Sequence, residues 1–293
     1  MRLNTPGMLR LAGTCLALLA AFVPVGPVRA QTPSTLEVMD WNIHHGIDTG
    51  GANNLERVAT WIVRIDPEIV SLNEVEKQNG YNGNADEPAV LQSLLETKTG
   101  ATWYSCFAQR NGASTGQGNL LLSRIRIESC GRYVLTASRS VARATVTVNG
   151  IAVNVFSTHL DDGSASIRTT QVGQLTTWAA QAAEQRIIMG DFNAQAGSNE
   201  LQVLRTAYDD TWAVALSAGT AIAYPANPGG NTRNSRIDYI WRSKGATRLA
   251  LQSVQVYDTG TVSDHRPLSA TFTVTSPPTT SAPDPPRNVR VTR

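Results

Sequence analysis

Six short strand-forming runs, each closed by an acid, an amide or an imidazole, constrain this 293-residue chain more than any other feature. Ile187-Ile188-Met189-Gly190 leads into Asp191-Phe192-Asn193, and Val262-Ser263 leads into Asp264-His265. The same grammar recurs at Val70-Ser71-Leu72-Asn73-Glu74, Val155-Phe156-Ser157-Thr158-His159, Arg236-Ile237-Asp238-Tyr239 and Val38-Met39-Asp40-Trp41-Asn42-Ile43-His44-His45. Side chains alternate along an extended backbone, so Asp191 and Asn193, two apart, face the same way. Asp264 and His265 are adjacent and diverge unless the strand has already turned. All four histidines stand in these closing positions. Acids, amides and imidazoles gathered at strand ends are the materials of a divalent-metal site.

Between these runs the pattern changes to helical. Asn54 is placed to cap a helix carrying Leu55, Val58, Ile62 and Ile65 on one stripe, and Pro67 ends it. A second helix starts near Asp86 with Pro88 in its first turn and stops at Gly100. A third follows Asp162 or Ser164 and shows Val172, Leu175, Trp178, Ala179 and Ala182 on one face. Further strand runs cover residues 144–156, 186–189, 236–241, 254–257 and 268–274. Roughly 240 residues of alternating strand and helix suit one α/β domain rather than two. Tyr224 to Arg233, rich in Pro, Gly and Asn, reads as a surface loop.

The two ends read differently. Arg2 and Arg10, an apolar stretch from Leu11 to Val25, and Val28-Arg29-Ala30 form a signal peptide cleaved after Ala30. The apolar stretch is shorter than the roughly 20 residues a membrane span needs. The expected layout is therefore signal peptide 1–30, one domain over 31–275 and a Pro/Thr/Ser-rich tail over 276–293. Losing residues 1–30 takes Arg2, Arg10 and Arg29 and no acid, so a formal charge of +2 becomes −1. No global basic field then argues for nucleic acid, and phosphate attraction must be local. Cys106 and Cys130, the cysteines left after cleavage, read as a disulfide in a secreted or periplasmic protein.

Seven blocks resemble the endonuclease/exonuclease/phosphatase superfamily. In order they are Trp41–Gly46, Asn73–Glu76, Gly118–Arg124, Ser157–Asp161, Gly190–Ala194, Arg236–Ile240 and Ser263–Pro267. The resemblance implies a four-layer α-β-β-α sandwich and a metal-dependent phosphoesterase, with Mg²⁺ expected and Mn²⁺ or Ca²⁺ as alternatives. It implies Glu74 as the main metal ligand, with Asn42 and Asp264 completing the shell or holding its waters, since a hard cation such as Mg²⁺ takes carboxylate oxygen and keeps several waters. Asp191 positions or deprotonates the attacking water, helped by Asn193. His265, oriented by Asp238, and His159 contact the phosphate or act as acid and base. Asn119 and Arg143 are implied phosphate contacts. His44 and His45 are left outside the catalytic set, either metal-proximal or residues of a tight turn.

The expected function is a secreted nuclease or other phosphodiesterase acting on DNA, RNA or another phosphoester, as a monomer without stable membrane insertion. A sphingomyelinase-like enzyme calls for an exposed aromatic hairpin, which the sequence does not offer. A phosphatase for a small phosphate ester calls for a dense cluster of cations, which the chain lacks unless separated arginines converge in space. Trp103 and Tyr104 are candidates for stacking on bases. A non-catalytic version of the fold calls for a broken catalytic set, and this one is complete.

Overall fold

Val, Ile and Leu dominate the interior of each strand run, and alternation divides them between a face shared by two sheets and a face covered by helices. The computed structural model describes residues 34–276; the signal-like segment 1–30 and the tail beyond Ser276 lie outside the described residues. One sheet comprises β1 (Ser34–Asn42), β2 (Ile69–Lys77), β3 (Tyr104–Gln109), β4 (Gly116–Ser123), β10 (Ala221–Ile222), β12 (Leu249–Val256) and β13 (Leu268–Val274). Its order is β10-β12-β13-β1-β2-β4-β3. The other comprises β5 (Ser129–Leu135), β6 (Arg139–Val148), β7 (Ile151–His159), β8 (Arg186–Asp191), β9 (Tyr208–Asp210) and β11 (Asp238–Ser243), in the order β5-β6-β7-β8-β11-β9.

Three apolar clusters define the layers. Leu36, Val38, Leu121, Val155, Ile187, Met189 and Phe272 fill the space between the sheets. Helices α1 (Leu55–Ile65) and α2 (Glu87–Thr99) cover the first sheet, packing Val58, Ile62, Leu91 and Leu95 on Met39, Trp41 and Leu72. Helices α3 (Ala165–Ala179) and α4 (Gln202–Ala207) cover the second, with Val172, Leu175 and Leu204 against Phe156 and Ile188. The short helix α5 (Thr211–Ala218) adds Trp212 and Ala215 to the cluster between the sheets. This is the expected α-β-β-α sandwich.

Local chemistry sets the boundaries. Asp86 accepts from the Ala89 N–H at the start of α2, and Gly100 ends it with φ of 68°. Ser164 caps α3 through the Ile167 N–H. Asn54 does not cap α1: its amide instead donates to the carbonyls of Ile43, Ile47 and Val262 and so ties three loops together. The expected run over 144–156 is two strands, because Asn149 and Gly150, both at positive φ, make a tight turn that pairs Val148 with Ile151. The Cys106–Cys130 disulfide forms, with Cα atoms 5.6 Å apart, and links edge strand β3 of one sheet to edge strand β5 of the other.

Two parallel pairs place the site. β1 and β2 run together to Asn42 and Asn73, while β7 and β8 run together to His159 and Asp191. Antiparallel β11 begins at Asp238, opposite Asp191. Parallel neighbours end on the same side, so both sheets deliver their terminal polar residues to one end of the sandwich.

Candidate active site

At the end of β2 the register with β4 shifts between Leu72 and Val75, and Glu74 takes a φ of 55°. The bulge turns Glu74 out of the ladder. Asn73, fully buried, stays behind as a cross-tie. Its Nδ2 donates to Asn119 Oδ1 at 2.9 Å and to the Thr158 carbonyl at 3.0 Å, and its Oδ1 accepts from the Asp191 N–H at 3.0 Å. Gly190, with φ of 146°, passes so close to Thr158 that a Cβ would overlap the Thr158 carbonyl. That close approach brings Asp191 level with His159.

Glu74 meets three partners. Asn42 Nδ2 lies 3.1 Å from Glu74 Oε1 and 3.1 Å from Asp191 Oδ2, bridging the two acids. His45 Nε2 lies 3.0 Å from Glu74 Oε2, its Nδ1 lies 2.6 Å from Glu76 Oε1, and its ring stacks on Tyr81. Burial alone would depress the His45 imidazole; the hydrogen bond to Glu76 and the charges of Glu74 and Glu76 outweigh it and raise it. His159 Nδ1 stands 4.0 Å from Glu74 Oε1.

Asp191 and His265 form the floor. Burial, and then the charge of Asp238, lift the Asp191 carboxyl above the usual carboxylate range. Asp191 Oδ1 accepts from the Asn193 N–H at 2.8 Å, and its Oδ2 lies 3.8 Å from His265 Nε2. His265 Nδ1 faces both oxygens of Asp238, at 2.9 and 3.1 Å, with both residues buried. Burial would push the imidazole down; the adjoining Asp238 carboxylate prevails and lifts it to about 9. His159 goes the other way, held well below its ordinary value by burial and then by the charge of Arg139. Asn193 Nδ2 donates to the Leu160 carbonyl and lies 3.0 Å from His159 Nε2. The nitrogen of the amide therefore faces the ring, so Nε2 accepts and the proton of neutral His159 sits on Nδ1. Below this floor Asp40 is fully buried with neither carboxylate oxygen hydrogen-bonded. Burial and the nearby Asp238 charge raise its carboxyl well above the usual range.

Of the sequence-derived set, Glu74, His159, Asp191, Asn193, Asp264 and His265 border one polar cleft of about 510 Å³, with Asp238 directly behind His265. Three assignments change. Asn42 offers its amide N–H to the acids while its Oδ1 accepts from the His44 N–H at 3.0 Å, so it holds Glu74 and Asp191 rather than presenting oxygen to a cation. Asn119 is a buried strut, its Nδ2 on Ser140 and its Oδ1 on Asn73, and it does not border the main cleft. Arg143 lies under α3 with its guanidinium 5.0 Å from the Trp178 ring, because alternation along β6 turns it away from the facing sheet. Trp103 is buried against α1, α2 and β2, with its indole N–H on Thr99, and offers no stacking surface.

The structure adds residues that the sequence-derived catalytic set left out. His44, His45, Gln117, Arg110, Arg139 and Arg233 all border the cleft. The His44-His45 pair before Gly46 carried a signal: two successive residues at φ of 53° and 56° make a tight reversal that brings His45 onto Glu74 and Glu76, while His44 Nδ1 faces the Ile47 carbonyl. The arginines carried none, coming from three separate places: the loop after β3, the start of β6 and the loop before β11. Six of the eleven non-glycine residues with positive φ among the described residues border this cleft: His44, His45, Glu74, Ala137, Ser138 and Asn193. Backbone strain is thus concentrated here, as at sites that fix groups for chemistry.

The donor set fits a hard divalent cation. Glu74, Asp191 and Asp264 bring carboxylate oxygen to one cleft, the ligand type such a cation takes. Asp264 is held by Arg233 at 2.6 Å.

The model of the endonuclease/exonuclease/phosphatase family matches residues 41–265. The chain belongs to that family. No curated protein matches the chain significantly. Solved structures do. An endonuclease/exonuclease/phosphatase from Beutenbergia cavernae DSM 12333 is 23% identical with a TM-score of 0.65, covering 82% of this chain and 72% of that one. A mannosyl-6-phosphatase from Bacteroides thetaiotaomicron VPI-5482 is 15% identical with a TM-score of 0.61, covering 80% and 98%. The human Nocturnin catalytic domain with bound sulfate anion is 18% identical with a TM-score of 0.63, covering 85% and 100%. Members of the endonuclease/exonuclease/phosphatase family are metal-dependent phosphoester hydrolases, and this chain has their fold.

Proposed function

We propose that the protein is an exported hydrolase of phosphoesters that uses Mg²⁺, with water attacking phosphorus. The observation that carries this reading is the meeting of Glu74, Asp191, Asn193, His159 and His265 at one end of the sandwich, in a single polar cleft. Glu74 and Asp264 would hold the cation, which when bound neutralises charge on the phosphate oxygens. Asp191, lifted toward neutrality and fixed by the Asn193 N–H, takes the proton of the attacking water. His265, protonated at neutral pH and held by Asp238, donates to a phosphate oxygen. His159 offers its Nδ1–H to the same group. Export rests on the signal-like segment 1–30 and fits a protein with a disulfide.

Two substrate classes compete. A nuclease or other phosphodiesterase is the reading the sequence blocks favour. A phosphatase acting on a small soluble ester gains from the convergence of Arg110, Arg139 and Arg233, the cluster that sequence order concealed. Among the described residues no Phe, Tyr or Trp borders the cleft, so stacking on bases has no platform there. We therefore favour a compact anionic ester over duplex nucleic acid. The test is turnover of plasmid DNA, RNA, sphingomyelin, bis(p-nitrophenyl) phosphate and a sugar phosphate with Mg²⁺, then with excess chelator. Wild-type activity is expected to vanish with chelator and return with Mg²⁺ or Mn²⁺, and Glu74→Gln to lose about 100-fold or more while staying folded. Undiminished turnover in chelator refutes the metal reading, and cleavage of plasmid DNA alone refutes the preference for a small ester.

A further inference from the structure

We propose that Arg110 and Arg139 form a second anion subsite beside His159, so that the substrate carries a further phosphate-type group in addition to the scissile one. This rests on the phosphoester reading of the cleft. Of the three arginines that border the cleft, Arg233 is matched by Asp264. Arg110 is different: among the described residues it has no carboxylate within ion-pair distance, and its Nη1 donates to the neutral amide of Gln117 at 3.0 Å. Arg139 has one carboxylate partner, Asp162 at 3.0 Å, and the Asp162 side chain is 78% exposed while that of Arg139 is only 12% exposed. Two cations with spare donors therefore converge on one wall.

Their placement argues for a ligand. Arg110 follows β3 and Arg139 opens β6, strands of different sheets, yet both border the main cleft and the narrow crevice beside His159 and Asn119. Arg139 is largely buried and Arg110 is exposed; like charges on one wall repel, and an anion between them turns that repulsion into attraction. Planar guanidinium forks match the oxygens of a phosphate. The floor already supplies groups for the scissile phosphate, namely Asn193, His159 and His265, beside the carboxylates Glu74 and Asp191. The arginine wall is left for a second anion. Asp161 and Asp162 at its rim bias it toward a compact group that fits between the guanidinium groups and away from an extended polyanion.

The test compares substrates that differ only in a second phosphate. The pairs are adenosine 5′-monophosphate with adenosine 3′,5′-bisphosphate, and the dinucleotide TpT with its 5′-phosphorylated form. The doubly phosphorylated member of the pair that is turned over is expected to have a kcat/KM about tenfold higher or more, carried by KM. In the Arg110→Gln/Arg139→Gln double variant, at unchanged melting temperature, that ratio is expected to fall to about one. A calorimetric arm in chelator measures binding of adenosine 3′,5′-bisphosphate and of the monophosphate without chemistry, and the same ratio is expected to collapse in the variant. A ratio near one in the wild type, or a ratio the variant leaves intact, overturns the subsite. Absence of turnover with an intact binding ratio overturns the hydrolase reading and leaves the subsite standing.

Discussion

Asp238 touches neither the cleft nor a substrate position, yet both its oxygens face His265 Nδ1. A carboxylate there fixes the tautomer and the ring plane and stabilises the imidazolium. Asp238→Asn and His265→Ala should therefore each lower kcat by about 100- to 10,000-fold, and the double change should add little. Fully multiplicative losses, in variants that melt like the wild type, would show that the two residues act independently. The same group has a consequence for stability. His265 is raised from 6.5 to about 9, so its contribution is fully present below pH 6.5 and is lost as pH rises through about 9. Burial and the Asp238 charge raise the Asp40 carboxyl well above 3.8, so it too costs stability as pH rises. Asp40→Asn removes the charge that alkaline pH would force into the core. It should raise stability at about pH 9 by an amount on the order of 1–3 kcal/mol relative to its effect at about pH 5. Urea unfolding at the two pH values checks this; an equal effect at both rejects a protonated Asp40.

At the scale of elements, the site depends on where strands stop. Asn42, Asn73, His159 and Asp191 reach one level because β1 and β2, and likewise β7 and β8, are parallel neighbours in register. The bulge at Glu74 and the close pass of Gly190 then turn single residues into position. The disulfide acts on the same frame from the far edge, joining β3 to β5. Closing that loop should stabilise the fold by about 3.5 kcal/mol in the chain-entropy account. A Cys106→Ser/Cys130→Ser variant should unfold at correspondingly lower denaturant while keeping kcat near the wild-type value, because the bridge lies away from the cleft floor. Loss of kcat in the still-folded variant would mean that the edge strands set the position of Arg110 and Arg139 and, through them, the chemistry.

For the molecule as a whole, charge and processing are linked. The signal-like segment carries three arginines, so its removal turns a weakly basic chain into a weakly acidic one. Intact mass of the protein recovered from the outside of expressing cells should place the new N-terminus at Gln31; a chain retaining Met1 would reject cleavage. Among the described residues no helix is long and apolar enough to cross a membrane.

Periodicity and strand-ending residues are local properties and reached an α/β domain; the order of the blocks carried the resemblance that implied the layered fold and most of the cleft floor, and the even cysteine pair implied the disulfide. Glu74, His159, Asp191, Asn193 and His265 were legible for that reason. What sequence could not fix was direction and neighbourhood. Asn42 carries an oxygen that suits a cation, but the His44 N–H claims that oxygen and turns the amide nitrogen to the acids. Arg143 sits on the strand that also presents Arg139, and the pleat sends it beneath Trp178. His45 reaches Glu74 only because two residues in succession adopt positive φ. Arg110, Arg139 and Arg233 lie far apart along the chain and meet only when two sheets stack face to face, since proximity between separate loops is created by packing alone.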